Sequence, residues 1–261
     1  MKAAPRASVA SSFTIIKGAL INETYAVLAA WDLSRSKREN LDRLRRENFI
    51  GARTATWLRD LAKVLNRRLQ PEGRDRALVM LAQSGCDLLE WKPILLWHIT
   101  RDEFLLRDFL QNWLFPAYEG GVSQVRPAEV REYLRGTTQR GGVTEHAWSD
   151  ATLERVAAGL LKMAAEFGVV RGKAVKTFSP YSLPERSFLY LLHVLRESNP
   201  NPRKIIEAPD WRMYLMRPAD VEHEILRLHQ FRKLDYQVAG SLAQMQLPCA
   251  TSTQYAERMV A

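Results

Sequence analysis

The sequence predicts a mainly α protein of two helical domains, the second carrying short winged-helix-like β-hairpins. Apolar residues recur near the helical period of about 3.6 from Phe13 to Phe115. Ser, Thr, Pro and Gly stand where helices start and stop. In the second half, two helical patterns are each followed by β-prone runs around a glycine. With 261 residues, 46% hydrophobic and 26% charged, the chain has the length and makeup of a globular protein with a well-buried core.

Residues 1–12 read as a flexible tail. The stretch "IKGALINETYAVLAAW" then reads as one helix, with Ile16, Ala19, Leu20, Val27 and Trp31 on its apolar side. "SKRENLDRLRREN" follows, and Ser36 with Glu39 has the spacing of a capping box. In "TATWLRDLAKVLNRRL", Thr54 is the N-cap, and Trp57, Leu58, Leu61, Val64 and Leu65 form the core side. "PEGRDRALVMLAQSG" reads as a helix from near Pro71 to Gly85. Pro93 opens the next helix, and Thr100 with Glu103 looks like a second capping box ahead of "FLLRDFLQNWLF", which Pro116 ends. Residues 13–140 are thus expected to be a basic all-helical domain.

Gly, Thr and Gln accumulate over residues 117–148 around a short helix starting at Pro127, and the boundary is expected near Gly141 and Gly142. Residues 141–248 form the second expected domain. Ser149 caps "SDATLERVAAGLLKMAAEFG" and Gly168 stops it. "VVRGKAVKTF" follows at once as a hairpin with a basic tip, the order of a helix and its wing. "SLPERSFLYLLHVL" is a helix capped by Ser182, "NPNPRK" a turn and "WRMYLM" a strand. Pro218 then opens a helix with a hairpin around Gly240 behind it. Residues 249–261 read as a polar, frayed tail.

Several function classes lack support. No apolar run is long enough for a bilayer, so no membrane partner is expected. "MKAAPRASVASSF" has no apolar segment of the kind a secretory signal needs. Cys86 and Cys249 are far apart with no metal or disulfide spacing, and the expected location is the reducing cytoplasm. "GVVRGK" has its glycines too close for a phosphate loop, and Ala174 stands where the Mg²⁺-binding hydroxyl belongs. "HEILR" lacks the second histidine of a zinc helix. Neither an enzyme, a cofactor nor a small-molecule substrate is expected.

The net charge of +9 is concentrated. Residues 35–76 hold 13 Lys and Arg against 6 Asp and Glu, a local +7. Clustered charge of this kind is the footprint of a polyanion site. Its candidate cations are Lys37, Arg38, Arg43, Arg45 and Arg46 on one helix, Arg53 ahead of the next, and Arg59, Lys63 and Arg67 along it. The last three follow at i, i+4 and i+8, where like charges repel. Arg171, Lys173 and Lys176 on the hairpin are a second group. Lys and Arg contacts to phosphate would hold a backbone and read no bases. Duplex DNA, RNA and an acidic protein subunit all suit such a surface.

The chain resembles BrxA, the small helical component of bacterial BREX phage-defence systems. The resemblance lies in "SFTIIKGALINETYAVLAAW", "ENFIGARTATWLRDLAKVLNRRL" and "WSDATLERVAAGLLKMAAEFGVV", and more weakly in "MYLMRPADVEHEILRLHQF". It implies a cytoplasmic, non-enzymatic helical protein that binds double-stranded DNA beside the methyltransferase, ATPase and phosphatase-like BREX components. The family brings no catalytic residues to carry over.

Overall fold

The computed structural model describes residues 8–144, 146–240 and 242–260. Helices α1 (Ser12–Lys17), α2 (Ile21–Ala29), α3 (Lys37–Glu47), α4 (Ala55–Arg68), α5 (Arg76–Gln83), α6 (Leu88–Ile99), α7 (Phe104–Phe109) and α8 (Phe115–Glu119) make up the first half. Strand β1 (Gln124–Val125), α9 (Pro127–Arg135) and α10 (Asp150–Glu166) lead to β2 (Val170–Arg171) and β3 (Lys176–Phe178). Helices α11 (Glu185–Ser198), α12 (Pro202–Ile206) and α13 (Pro218–Gln230), the hairpin β4 (Asp235–Ala239) and β5 (Leu242–Gln246), and α14 (Ser252–Val260) complete the chain. The mainly α fold with short hairpins is therefore the fold observed. The basic hairpin β2–β3 gains β1 as a third, antiparallel strand, in the order β1-β3-β2.

One cluster of buried apolar residues runs from Ala10 to Met259, across the Gly141–Gly142 region. Helix α10 is its spine. Val156, Leu160 and Met163 are fully buried, and each such side chain stabilises the fold by roughly 1.5–3 kcal/mol. Gly159 lets α1 lie directly on α10, because a Cβ there would stand 2.8 Å from the Ile15 carbonyl oxygen.

The capping box of Ser36 and Glu39 forms as expected, and Ser149 caps α10 by accepting from the Thr152 amide. Other expectations need correction. The first helical stretch breaks at Gly18, whose φ is 87°, and at Leu20, in the left-handed region at 56°. Its freed carbonyls have a use. Arg68 donates to the oxygens of Thr14, Gly18 and Ala19 at 2.9, 3.0 and 3.2 Å. Its Nε donates to Glu103 Oε1 at 2.9 Å, and the Thr14 hydroxyl donates to Glu103 Oε2 at 3.0 Å. Glu103 is thus the buried counter-charge of Arg68 rather than half of a capping box with Thr100.

Residues 71–75 turn before α5 begins, and α6 begins at Leu88 under an Asp87 cap, so Pro93 lies inside it. Pro116 does not end the α7 region. A π-helical turn, Leu110–Leu114, precedes it and opens the carbonyl ladder where proline has no N–H to donate. "WRMYLM" lies largely in a 3-10 helix, Pro209–Tyr214, with Trp211 and Tyr214 buried. Ser182 does not cap α11, and "NPNPRK" contains the start of α12, capped by Asn201.

Both expected tails are held where the structure describes them. Residues 1–7 lie outside the described residues. The Ala10 amide donates to the Val143 carbonyl at 2.8 Å, the Val143 amide to that of Ser8 at 2.9 Å, and Ala10 is buried. At the other end α14 packs on α5 and α11, burying Tyr255, Ala256 and Met259. The Tyr255 ring stacks on His193 at 4.6 Å.

Candidate nucleic-acid interface

The basic segment folds into an antiparallel helical hairpin. Asn48 takes the left-handed conformation that ends α3 (φ 45°), and its side chain clasps both the amide and the carbonyl of Ala52 at 2.8 Å. Thr54 restarts the chain as α4 by accepting from the Trp57 amide. At the far end the Lys37 amine donates to the Asn66 carbonyl at 2.5 Å, which brings the start of α3 beside the end of α4.

The core face of α4 buries Leu58, Leu61, Val64 and Leu65 as expected, with Ala62 and Arg68 beside them. Trp57, expected in the core, is only half-buried. Lys17 of α1 approaches it to 5.8 Å and Phe13 to 5.4 Å, and the Lys63 amine lies 5.3 Å from the same Phe13 ring. These are cation–π distances.

Folding sorts the candidate cations into two groups. Arg38, Arg45, Arg46, Arg53, Arg59 and Lys63 are exposed. Lys37, Arg43 and Arg67 are half-buried and already committed. Besides its bond to Asn66, Lys37 donates its backbone amide to Glu72, and burial lowers the pKa of its amine. Arg43 donates to the Ala30 carbonyl and lies 5.3 Å from the Phe49 ring. Arg67 donates to the Val9 carbonyl at 2.9 Å, with its Nε 3.9 Å from Glu103. The stripe of three cations along α4 is therefore an exposed pair, Arg59 and Lys63, with Arg67 turned inward.

Two acids lie close to the exposed group. Asp42 faces Arg45 at 2.7 Å and Arg38 at 3.9 Å. Asp60 is held by Lys17 at 2.7 Å, and that hydrogen bond keeps its carboxyl below the ordinary carboxylate range. Lys17 thus neutralises the one acid interrupting the α4 face. The sequence carries no local signal for it, because 43 residues separate the two.

On the hairpin, Arg171 and Lys173 are exposed, whereas the Lys176 amine donates back to the Gly172 carbonyl at 2.6 Å. The root of the hairpin packs on α10.

Among the described residues, no group of three His, Cys, Asp or Glu is placed to hold a metal ion. Asp75 Oδ1, His98 and the Tyr190 hydroxyl form a chain with separations of 2.7 and 2.8 Å. All three are buried, so this chain ties α5, α6 and α11 together and faces no cleft. No described helix is long and apolar enough to cross a membrane.

Compared with known families, residues 11–193 match the sequence model of BrxA. The chain belongs to the BrxA family. Membership makes it a component of a BREX phage-defence system, with other BREX components as its expected partners. The BrxA match covers α1 to most of α11 and includes every candidate cation, on both the α3–α4 hairpin and the β2–β3 hairpin. No curated protein matches the chain.

Proposed function

We propose that this BrxA-family protein is a non-enzymatic, DNA-binding accessory component of a cytoplasmic BREX phage-defence system, gripping the phosphate backbone of duplex DNA through the α3–α4 hairpin. The observation that carries this reading is the group Arg46, Arg53, Arg59 and Lys63. All four are exposed on one helical hairpin, with no ion-pair partner among the described residues. Arg59 and Lys63 stand one turn apart, where like charges cost roughly 0.2–0.5 kcal/mol in an isolated helix. A phosphate partner turns that cost into attraction. Arg53 adds to this at the N-terminus of α4, where unpaired amides and the helix dipole favour an anion. The exposed Arg171 and Lys173 provide a second contact on the β2–β3 hairpin.

With five or six phosphates engaged, the logarithm of the affinity falls with log salt at a slope of about −5. Fluorescence anisotropy on labelled duplexes checks this, and salt-independent binding, or none at low salt, overturns it. The double variant Arg59→Glu/Lys63→Glu weakens binding at least about tenfold, by the same factor for unrelated sequences, because the contacts are to the backbone. Direct competition with RNA of equal length separates the two nucleic acids. Preference for RNA would replace DNA as the partner.

A further inference from the structure

Helix, helix and hairpin follow one another twice along the chain, as α9, α10 and β2–β3 and again as α12, α13 and β4–β5, with a 3-10 helix between the second pair of helices. In the first set β1 lies beside β3, the second strand of its hairpin. In the second set the sheet ends at β5, and no described strand lies beside it. The sequence accounts for the difference. Strand β1 ends at Val125, two residues ahead of Pro127, where α9 starts. Two residues ahead of Pro202, where α12 starts, stands Pro200, which has no N–H to give a ladder. Asn199 beside it accepts the Asn201 amide at 3.1 Å, which makes a turn of the place a strand would take.

The register shows which groups are left open. Antiparallel pairs alternate between those that exchange backbone hydrogen bonds and those that do not. The Tyr236 amide donates to His229 Nδ1 at 3.2 Å, away from the hairpin, so its pair with Met245 is of the second kind. The pair of Val238 and Ala243, two residues on, is of the same kind. The amides and carbonyls of Ala243 and Met245 therefore point outward from β5, and no described backbone group bonds them. Ala243 and Met245 are half-buried, whereas Leu242, Gln244 and Gln246 are exposed, so the hairpin rests one face on α12 and α13. Soluble proteins guard an open edge with charge, proline or a bulge. Strand β5 carries neither charge nor proline, and its Leu242 is 71% exposed.

We infer that β5 pairs antiparallel with β5 of a second copy of this chain, across a two-fold axis at Gln244, to make one sheet in the order β4-β5-β5-β4. What favours a second copy is the symmetry of the open groups. Ala243 and Met245 flank Gln244 equally, so each copy donates the Ala243 amide to the Met245 carbonyl of the other and the Met245 amide to its Ala243 carbonyl. Gln244 meets its own counterpart, amide against amide, and Leu242 comes to lie opposite Gln246. A strand paired with itself sets any charge at its centre against a like charge, and β5 has none. The inference stands apart from the nucleic-acid reading, because it makes no use of the α3–α4 hairpin.

The test is sedimentation velocity of the full chain over a range of concentrations. A monomer–dimer equilibrium is expected with Kd below about 100 µM, a modest affinity that suits one pair of short strands. Ala243→Pro removes an outward donor without touching the ladder to β4, and weakens the dimer at least about tenfold. Gln244→Glu and Gln244→Lys, at an exposed site, each weaken it by up to about fivefold, because like charges then face each other. An equimolar mixture of the two associates more tightly than either alone, since unlike charges meet at the axis. Far-UV circular dichroism matching that of the unsubstituted chain shows that each variant is folded. A chain that stays monomeric at millimolar concentration overturns the inference. If Ala243→Pro then also loses binding to another BREX component, the edge belongs to that component. A dimer that Ala243→Pro leaves as tight as before overturns it too, as does a mixture of the Gln244 variants no tighter than either alone.

Discussion

Arg67 and Arg68 continue the basic run that contains Arg59 and Lys63, yet they point into the protein. Arg68 and Glu103 are 2% and 0% exposed, and their charges meet protein groups: three carbonyls, a hydroxyl, each other, and the Arg67 guanidinium 3.9 Å from Glu103. Removing one member leaves the other buried and without its hydrogen-bonded counter-charge, which costs about 3–5 kcal/mol. Glu103→Gln and Arg68→Met are each expected to lower stability by that amount in urea titrations. A joint apolar replacement of both costs less than the sum of the two, because neither charge is then left alone.

The Asp75–His98–Tyr190 chain makes stability depend on pH. Burial pushes the His98 imidazole below its ordinary value, although the Asp75 carboxylate pulls the other way. Burial would raise the Asp75 carboxyl, but the hydrogen bond from His98 and the Arg74 guanidinium outweigh it and hold it well below the carboxylate range. Both groups therefore bind protons more readily in the unfolded chain. For His98 the stability present above the unfolded value of about 6.5 is lost as pH falls below it, and for Asp75 the loss starts near pH 4. The urea midpoint is expected to fall from pH 7.5 to pH 5.5, and His98→Gln to flatten that fall. An unchanged slope in the variant would assign the dependence elsewhere, His193 being the other buried imidazole with a lowered value.

At the scale of elements, α1 lies directly on α10, and Gly159 permits it. In an exposed helix Gly→Ala stabilises by about 1 kcal/mol. Here the new methyl meets the Ile15 backbone, which flexes far less than a side chain. Gly159→Ala is expected to destabilise by roughly 1–3 kcal/mol, in the range of overpacked cores, read as a lower melting temperature. The elements legible from the sequence were those with local signals: the capped helices α3, α4 and α10 and the two hairpins. Those that were not depend on distant partners. The break at Gly18 serves Arg68, about fifty residues away. The helical turn at Pro209–Tyr214 buries Trp211, whose ring stacks on Phe188 at 4.9 Å. Helix α14 shows only Tyr255, Ala256, Met259 and Val260 as apolar signal in a polar stretch, and α5 and α11 supply the surface that makes it fold.

For the molecule as a whole, the continuous core bears on how the chain unfolds. Two separate domains would give two transitions. A core that runs unbroken from Ala10 to Met259 is expected to give one, with fluorescence of the Trp residues and far-UV circular dichroism coinciding. Two transitions would support a domain boundary near Gly141 and Gly142. The charge is also divided at this scale: the +7 segment supplies the α3–α4 surface, while the chain from residue 77 onward is nearly balanced.

The sequence alone determined the helical class, the hairpins, the family resemblance and the location of the excess charge, because each rests on spacing along the chain. Tertiary structure decided which cations face water. Arg67 and Arg68 turn in because Val9, Gly18 and Glu103 meet them there, and Lys17 arrives from another helix to silence Asp60. Exposure of a charge depends on what packs beside it, and that neighbour comes from a distant part of the chain.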